Sequence, residues 1–229
     1  MKNELIDDMR LPKRRPKWGY PILFTNHEIR RMLTLANAGK NDIFYDLGCG
    51  WGQNLIIALT EFRVKKVVGI ENDYKRSKVA RRRLEKVAML TRWRVIKDDF
   101  EKLFSDKLEN AKLKEATIVF YGLDSSKTVL NGLQKRLKSG CKLINYFNCL
   151  FPEIKYDKID YPFYISKFPF KKPRSQNEWL RTVVSKRKIH NKNEKKLDSS
   201  KLWEELQHDY DVIGLRDEVR KYKRRLRNY

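Results

Sequence analysis

A doubly wound α/β sheet is the fold class this sequence predicts, and three observations predict it. Short apolar, strand-like runs alternate with amphipathic helical runs from about residue 26 to residue 147. The helical runs are long enough to carry the chain back over a sheet, as parallel pairing requires. A turn with three glycines in five residues, Gly48, Gly50 and Gly52, stands directly behind the first strand, where such sheets bind ligands. Seven strands are expected, five parallel ones closed by an antiparallel hairpin, with a basic helical extension at the C-terminus.

The elements follow in order. Residues 1–19 are polar and run into "PKRRPKWGYP" (Pro12 to Pro21), which reads as a basic extended arm. Ile29, Met32, Leu33 and Leu35/Ala36 recur at helical spacing, with Thr25 or Asn26 as N-cap, Glu28 in the first turn and an end near Gly39. Ile43 to Asp46 is a short strand, Gln53 to Phe62 a helix, Lys65 to Glu71 a buried strand, and Tyr74 to Leu90 a helix with a very basic outer face. "WRVIKDDF" and "ATIVFYG" supply two more strands, Ser126 to Leu137 a helix, and "CKLINYF" the fifth strand. The edge hairpin is expected from "YPFYISKFPF" and "EWLRTVVSKR". The α/β domain thus spans residues 20–185, and residues 186–229 form a charged linker and a basic helical extension built on Leu202, Trp203, Leu206 and Tyr210.

Composition bounds the partners. With 52 Lys and Arg against 29 Asp and Glu, the formal charge is +23, far beyond what solubility requires, and attraction to polyanions or acidic surfaces follows. The three cysteines, Cys49, Cys141 and Cys149, make no CxxC pair and no His/Cys cluster, so neither a disulfide framework nor a metal site is expected. No run approaches 18 apolar residues and the first ten lack the apolar core of a secretory signal. A soluble cytoplasmic protein is the expectation.

The glycine turn selects its ligand by charge. Dinucleotide sites need GxGxxG, but the place of the third glycine holds Gln53, and no GK[ST] follows for a mononucleotide. Asp46 at the strand end would set a negative charge beside any pyrophosphate. A ligand with a positive group and no phosphate suits this mouth, and S-adenosylmethionine, with its ammonium and sulfonium, has that character.

"YDLGCGWG" resembles motif I of the class I methyltransferases, which bind S-adenosylmethionine on a Rossmann-like sheet. The resemblance covers about residues 20–185 and extends to "VVGIEND", whose Glu71, with Asn72, implies a contact to the ribose hydroxyls, and to "IKDDF", whose Asp99 and Phe100 imply the adenine site. Gly48, Cys49, Gly50, Trp51 and Gly52 complete the implied cofactor turn. Cys49 reads as a small filler, and Trp51 either packs over the cofactor or walls the acceptor channel. A narrower resemblance joins "FTNHEIRRMLTLANAGKNDIFYDLGCG" and "ATIVFYGLDSSKTVLNGLQKRLKSG" to the small archaeal protein-lysine methyltransferases and their mitochondrial relatives. It implies that Tyr20, Thr25 and Tyr121 line the cofactor or acceptor mouth, although Asn26 stands where that family more often has proline.

"FYGLDSS" after the fourth strand departs from the [DN]PP[YF] of nucleobase and glutamine amino-methyltransferases, and the Pro-Cys nucleophile of cytosine C5 enzymes is absent. A lysine acceptor must lose its proton in an apolar, aromatic-lined channel. Trp51, Tyr121, Tyr146 and Phe147 are the candidate walls, Tyr121 foremost among them. The first expectation is therefore a protein-lysine N-methyltransferase. The alternatives are an RNA or DNA methyltransferase, reached through basic arms at Lys13 to Lys17, Arg81 to Arg83 and Lys221 to Arg227, and a nucleic-acid or ribosome-associated module on the same fold without turnover.

Overall fold

The computed structural model describes residues 24–99, 113–122, 127–146, 150–180 and 182–183. The N-terminal arm with Tyr20, the residues Phe100, Phe147 and Cys149, and the C-terminal extension lie outside them. Seven strands form one sheet in the order β3-β2-β1-β4-β5-β7-β6. They are β1 (Ile43–Leu47), β2 (Lys66–Glu71), β3 (Trp93–Lys97), β4 (Ile118–Tyr121), β5 (Lys142–Tyr146), β6 (Lys158–Asp160) and β7 (Phe163–Lys167). The first five pair in parallel and β7 is antiparallel to both β5 and β6. From β1 the chain steps outward to β2 and β3, then returns to β4 on the other side, so the order reverses between β1 and β4. Ligands bind at that reversal, beyond the carboxyl ends of the strands.

Strand alternation sorts the side chains into two cores. Phe44, Phe120, Ile144 and Phe163 pack with residues of the helices α1 (Asn26–Leu35), α2 (Gln53–Thr60) and α3 (Tyr74–Glu85). Tyr45, Leu47, Val119, Tyr121 and Tyr164 pack on the other face with α4 (Lys127–Arg136) and with Phe151, Ile154 and Tyr156. Helix α1 starts where its residues dictate. The Thr25 hydroxyl accepts from the Glu28 N–H at 3.1 Å while Glu28 accepts from the Thr25 N–H at 2.8 Å, a reciprocal capping box.

The edge of the sheet differs from expectation. Strand β7 lies within the first of the two anticipated runs, but its hairpin partner is the upstream Lys158–Asp160, not "EWLRTVVSKR". Residues 176–180 are helical instead. The reason is local: the Glu178 N–H donates to Ser175 Oγ at 3.1 Å and the Glu178 carboxylate takes the Arg174 N–H at 2.6 Å. "SQNE" is an S-x-x-E helix start, and it outweighs the β-branched residues downstream. Helix α3 also stops at Glu85, short of the expected Leu90, and a 3-10 turn at Leu90–Arg92 leads into β3.

Candidate functional site

At the carboxyl end of β1 the chain must leave the sheet and enter α2 in five residues, and glycines make that possible. Gly48, Gly50 and Gly52 have φ of 97°, 53° and 79°, a region costly for any residue with a Cβ. The Gly48 and Cys49 N–H groups both donate to the Ile70 carbonyl at 2.8 and 3.0 Å, which ties the turn to β2. Gly69 on β2 makes room for it, since a Cβ there would sit 2.6 Å from both Cys49 Sγ and Leu55 Cδ1. A Cβ on Gly52 would lie 3.1 Å from Ala80 Cβ on α3, whereas one on Gly50 would meet nothing within 4 Å. The loop is packed beneath and open at Gly50.

Two carboxylates frame this loop. Asp46 is fully buried, and its Oδ2 accepts from Asn54 Nδ2 at 3.0 Å. Its Oδ1 has no hydrogen-bond partner among the described residues. Burial pushes the Asp46 carboxyl up to about 7; the Asn54 amide opposes that rise and the nearby Glu71 charge adds to it. Glu71, 4% exposed, is by contrast well supplied. Its Oε2 accepts from the Gly50 N–H at 2.8 Å, and its Oε1 from the Asp73 N–H at 2.9 Å and from Arg76 Nε and Nη2 at 3.1 and 2.8 Å. Asn72 follows it, half-buried, and the Asp99 N–H donates to Asp98 Oδ1 at 2.7 Å beyond β3. The Cys49 thiol is buried and pushed well up by that burial, so it is neutral packing rather than a nucleophile. Trp51 is also buried, at 5% exposure.

A buried acid with an open acceptor, at the mouth of a loop without a cation for phosphate, fits a ligand ammonium. The described residues include no His, Cys, Asp and Glu grouping that would hold a metal ion.

The acceptor side is where alternation matters. Asp46 pairs in register with Phe120, so the two side chains stand beside each other on one face, while Tyr121 pairs with Leu47 on the opposite face. Tyr121 is fully buried there, its ring stacked on Phe151 with centroids 6.1 Å apart. The structure therefore does not bring Tyr121 together with Asp46. The Asp46 face carries instead an aromatic group that sequence reasoning did not assemble. Phe24, immediately before the Thr25 cap, lies 5.8 Å from Phe120, 5.2 Å from Tyr146 and 5.5 Å from Phe163, centroid to centroid. The parity of Phe120 and Tyr146 relative to Asp46 was the available signal. Thr25 is buried and spends its side chain on the α1 cap.

Helix α3 also differs from a simple solvated basic face. Arg76 is spent on Glu71, Arg81 donates to the Val95 carbonyl at 3.2 and 3.0 Å, and Arg83 Nη1 donates to the Trp51 carbonyl at 2.7 Å. Arg81 caps a carbonyl of the edge strand, and Arg83 reaches the glycine loop.

The sequence model of the family described as "Histone methylation protein DOT1" matches residues 24–172, more than half of the chain and all of this site that the structure describes. The chain belongs to the DOT1 family. A protein-lysine N-methyltransferase of Saccharolobus islandicus is 33% identical to this DOT1-family chain over 120 residues, covering 52% of it and 70% of the relative. A ribosomal RNA small subunit methyltransferase A of Ureaplasma urealyticum is 29% identical over 148 residues, 60% of this chain and 48% of that one. Among solved structures, an RNA methyltransferase of Salinibacter ruber in complex with S-adenosyl-L-homocysteine superposes with a TM-score of 0.57 at 24% identity, covering 68% of this chain and 99% of that one, a likeness of fold. This DOT1-family protein is a class I methyltransferase and S-adenosylmethionine is its methyl donor. No helix among its described residues is long and apolar enough to cross a membrane.

Proposed function

We propose that this chain transfers a methyl group to the side-chain amine of a lysine in a protein. The observation that carries the reading is the aromatic group of Phe24, Phe120 and Tyr146, whose Phe120 stands beside Asp46 by the β1–β4 register. When bound, S-adenosylmethionine supplies a methyl group already activated by its sulfonium, so the protein's work is placement and desolvation. Asp46 would hold the ammonium, Glu71 would hold a ribose hydroxyl beside Gly50, and Asp99, Asn72 and Trp51 would shape the remaining wall of the turn. Gly48, Cys49, Gly50 and Gly52 let the backbone approach closely. These aromatic side chains would border the lysine stem and lower the pKa of its amine, so that the neutral nucleophile is present and its proton leaves to solvent. The family's description supports a protein as substrate, and the Saccharolobus relative supports lysine as acceptor.

Transfer to RNA is the second reading, favoured by the Ureaplasma relative and by the formal charge of +23. Basic segments outside the described residues, at Lys13 to Lys17 and Lys221 to Arg227, would hold such a substrate or a ribonucleoprotein that carries the target lysine. Incubation of the protein with radiolabelled donor and cell extract separates the readings. Nuclease-resistant label that appears as methyl-lysine after hydrolysis supports the first; label removed by nuclease overturns it in favour of RNA.

A further inference from the structure

Helix α3 presents Arg76, Ala80 and Arg83, spaced i, i+4 and i+7, on one stripe. Arg76 reaches the end of β2, whereas Ala80 and Arg83 reach the glycine loop and the start of α2. Arg76, only 14% exposed in its side chain, forks onto Glu71 Oε1 at 3.1 and 2.8 Å. Ala80 is fully buried at the point where Gly52 makes its close approach. Arg83 donates one Nη to the Trp51 carbonyl at 2.7 Å and the other to Gln53 Oε1. Gln53 in turn donates from Nε2 to Asn26 Oδ1 at 2.6 Å, so the start of α1, the start of α2 and the loop share one chain of hydrogen bonds anchored on α3. Gln53 occupies the place of a dinucleotide fingerprint's third glycine, and Asn26 the place where proline is more common in the related enzymes. Both departures belong to this brace, Gln53 as its middle link and Asn26 as its far end.

We propose that Arg76 and Arg83 are positioning residues for the methyl donor, Arg76 orienting and charge-balancing Glu71, and Arg83 bracing the glycine loop through Trp51 and Gln53. The inference rests on the reading that the donor's ammonium and ribose meet Asp46 and Glu71. The two arginines act differently. Three donors converge on Glu71 Oε1, which leaves Oε2, shared only with Gly50 N–H among the bonds described, as the oxygen turned to a ribose hydroxyl. The groups gathered about Asp46 are Glu71 from β2, the neutral Cys49 from the loop and Asn54 from α2, while Arg76 from α3 faces Glu71 and Cys49. Arg76 pairs with Glu71, so without it the Glu71 charge that raises the Asp46 carboxyl stands unanswered and Asp46 ionises at higher pH. Among the bonds described Arg83 touches neither acid; it holds the loop through the Trp51 carbonyl and the Gln53 side chain, keeping donors and acceptors where the ligand needs them.

The test is binding of S-adenosylmethionine to the full chain by calorimetry from pH 5.5 to 8.5, with circular dichroism to confirm folding. Arg76→Met is expected to weaken binding at pH 7 by about tenfold or more and to move the pH at which affinity half-rises upward by about one unit. Arg76→Lys keeps the charge and is expected to restore the midpoint but only part of the affinity, because the fork is lost. Arg83→Met is expected to weaken binding by about tenfold with the midpoint unmoved, and Arg83→Lys to recover part of it. If Arg76→Met leaves the midpoint in place, or folded Arg83→Met binds like the wild type, the proposal is overturned. Should the wild type bind the donor and Asp46→Asn bind equally well, the site reading fails instead, and the two failures are told apart by that control.

Discussion

The ends of β1 and β2 lie side by side and each carries a buried acid, yet they are built in opposite ways. Glu71 is answered by two backbone N–H groups and an arginine fork before any ligand arrives. Asp46 has one side-chain amide, no cation among its bonds and an oxygen without a partner among the described residues. A buried carboxylate that lacks a counter-charge is a cost to the fold, so its persistence at a loop mouth points to a ligand that supplies the charge. Glu71 is a finished part of the structure, whereas Asp46, on the proposed reading, is completed by the ligand's charge.

The comparison breaks most visibly through Asp46→Asn. Donor binding is expected to fall by about a hundredfold or more in calorimetry, since a charge-assisted contact is removed. Stability moves the other way. The folded-state pKa of Asp46, about 7, lies above the unfolded value of 3.8. The folded chain therefore holds a proton that the unfolded chain releases, and stability falls as pH rises from about 4 to about 7 and stays low above that. Asp46→Asn removes this penalty, worth up to about 4 kcal/mol, so its melting temperature at pH 8 should exceed the wild type's. Unchanged binding, or a lower melting temperature, would contradict the contrast.

Glu71→Gln should behave in the opposite sense. It strands the half-buried Arg76 and is expected to cost about 3 kcal/mol in chemical denaturation while also weakening the donor. The same asymmetry predicts the pH profile. Only ionised Asp46 pairs with an ammonium, so affinity should rise through about pH 7 with a slope approaching tenfold per unit on the acid side. A flat profile between pH 5.5 and 8.5 would remove Asp46 from the contact. Next in size, Gly69→Ala should destabilise by about 2 kcal/mol, because its Cβ meets Cys49 Sγ and Leu55 Cδ1 at 2.6 Å and the loop must shift. Smallest, and opposed to each other, are two tyrosines: Tyr146→Ala should lower kcat with little change in donor affinity, whereas Tyr121→Phe should alter steady-state rates by less than about twofold.

Much of this was open to a reader of the chain alone, and the reason is locality. Alternating hydrophobic periods, the Thr25 to Glu28 capping pair and the glycines behind β1 are written in adjacent residues, and each specifies its element with little help from the rest. The acid at the end of β1, the acid at the end of β2 and the family they indicate follow from that order. Even the misread edge was recoverable, since the S-x-x-E of Ser175 to Glu178 is a local signal that the aromatic and β-branched composition obscured. What only the tertiary structure decided is which of these residues face one another. A one-residue step along β4 separates Phe120, beside Asp46, from Tyr121, on the far side of the sheet, and the β1–β4 register alone says which is which. Likewise the arginines of α3 read as a solvated basic face until packing turned Arg76, Arg81 and Arg83 onto an acid and two carbonyls. Periodicity records which residues share a face of an element; which face meets the ligand is set by contacts between residues far apart in the chain, and those are fixed only when the sheet assembles.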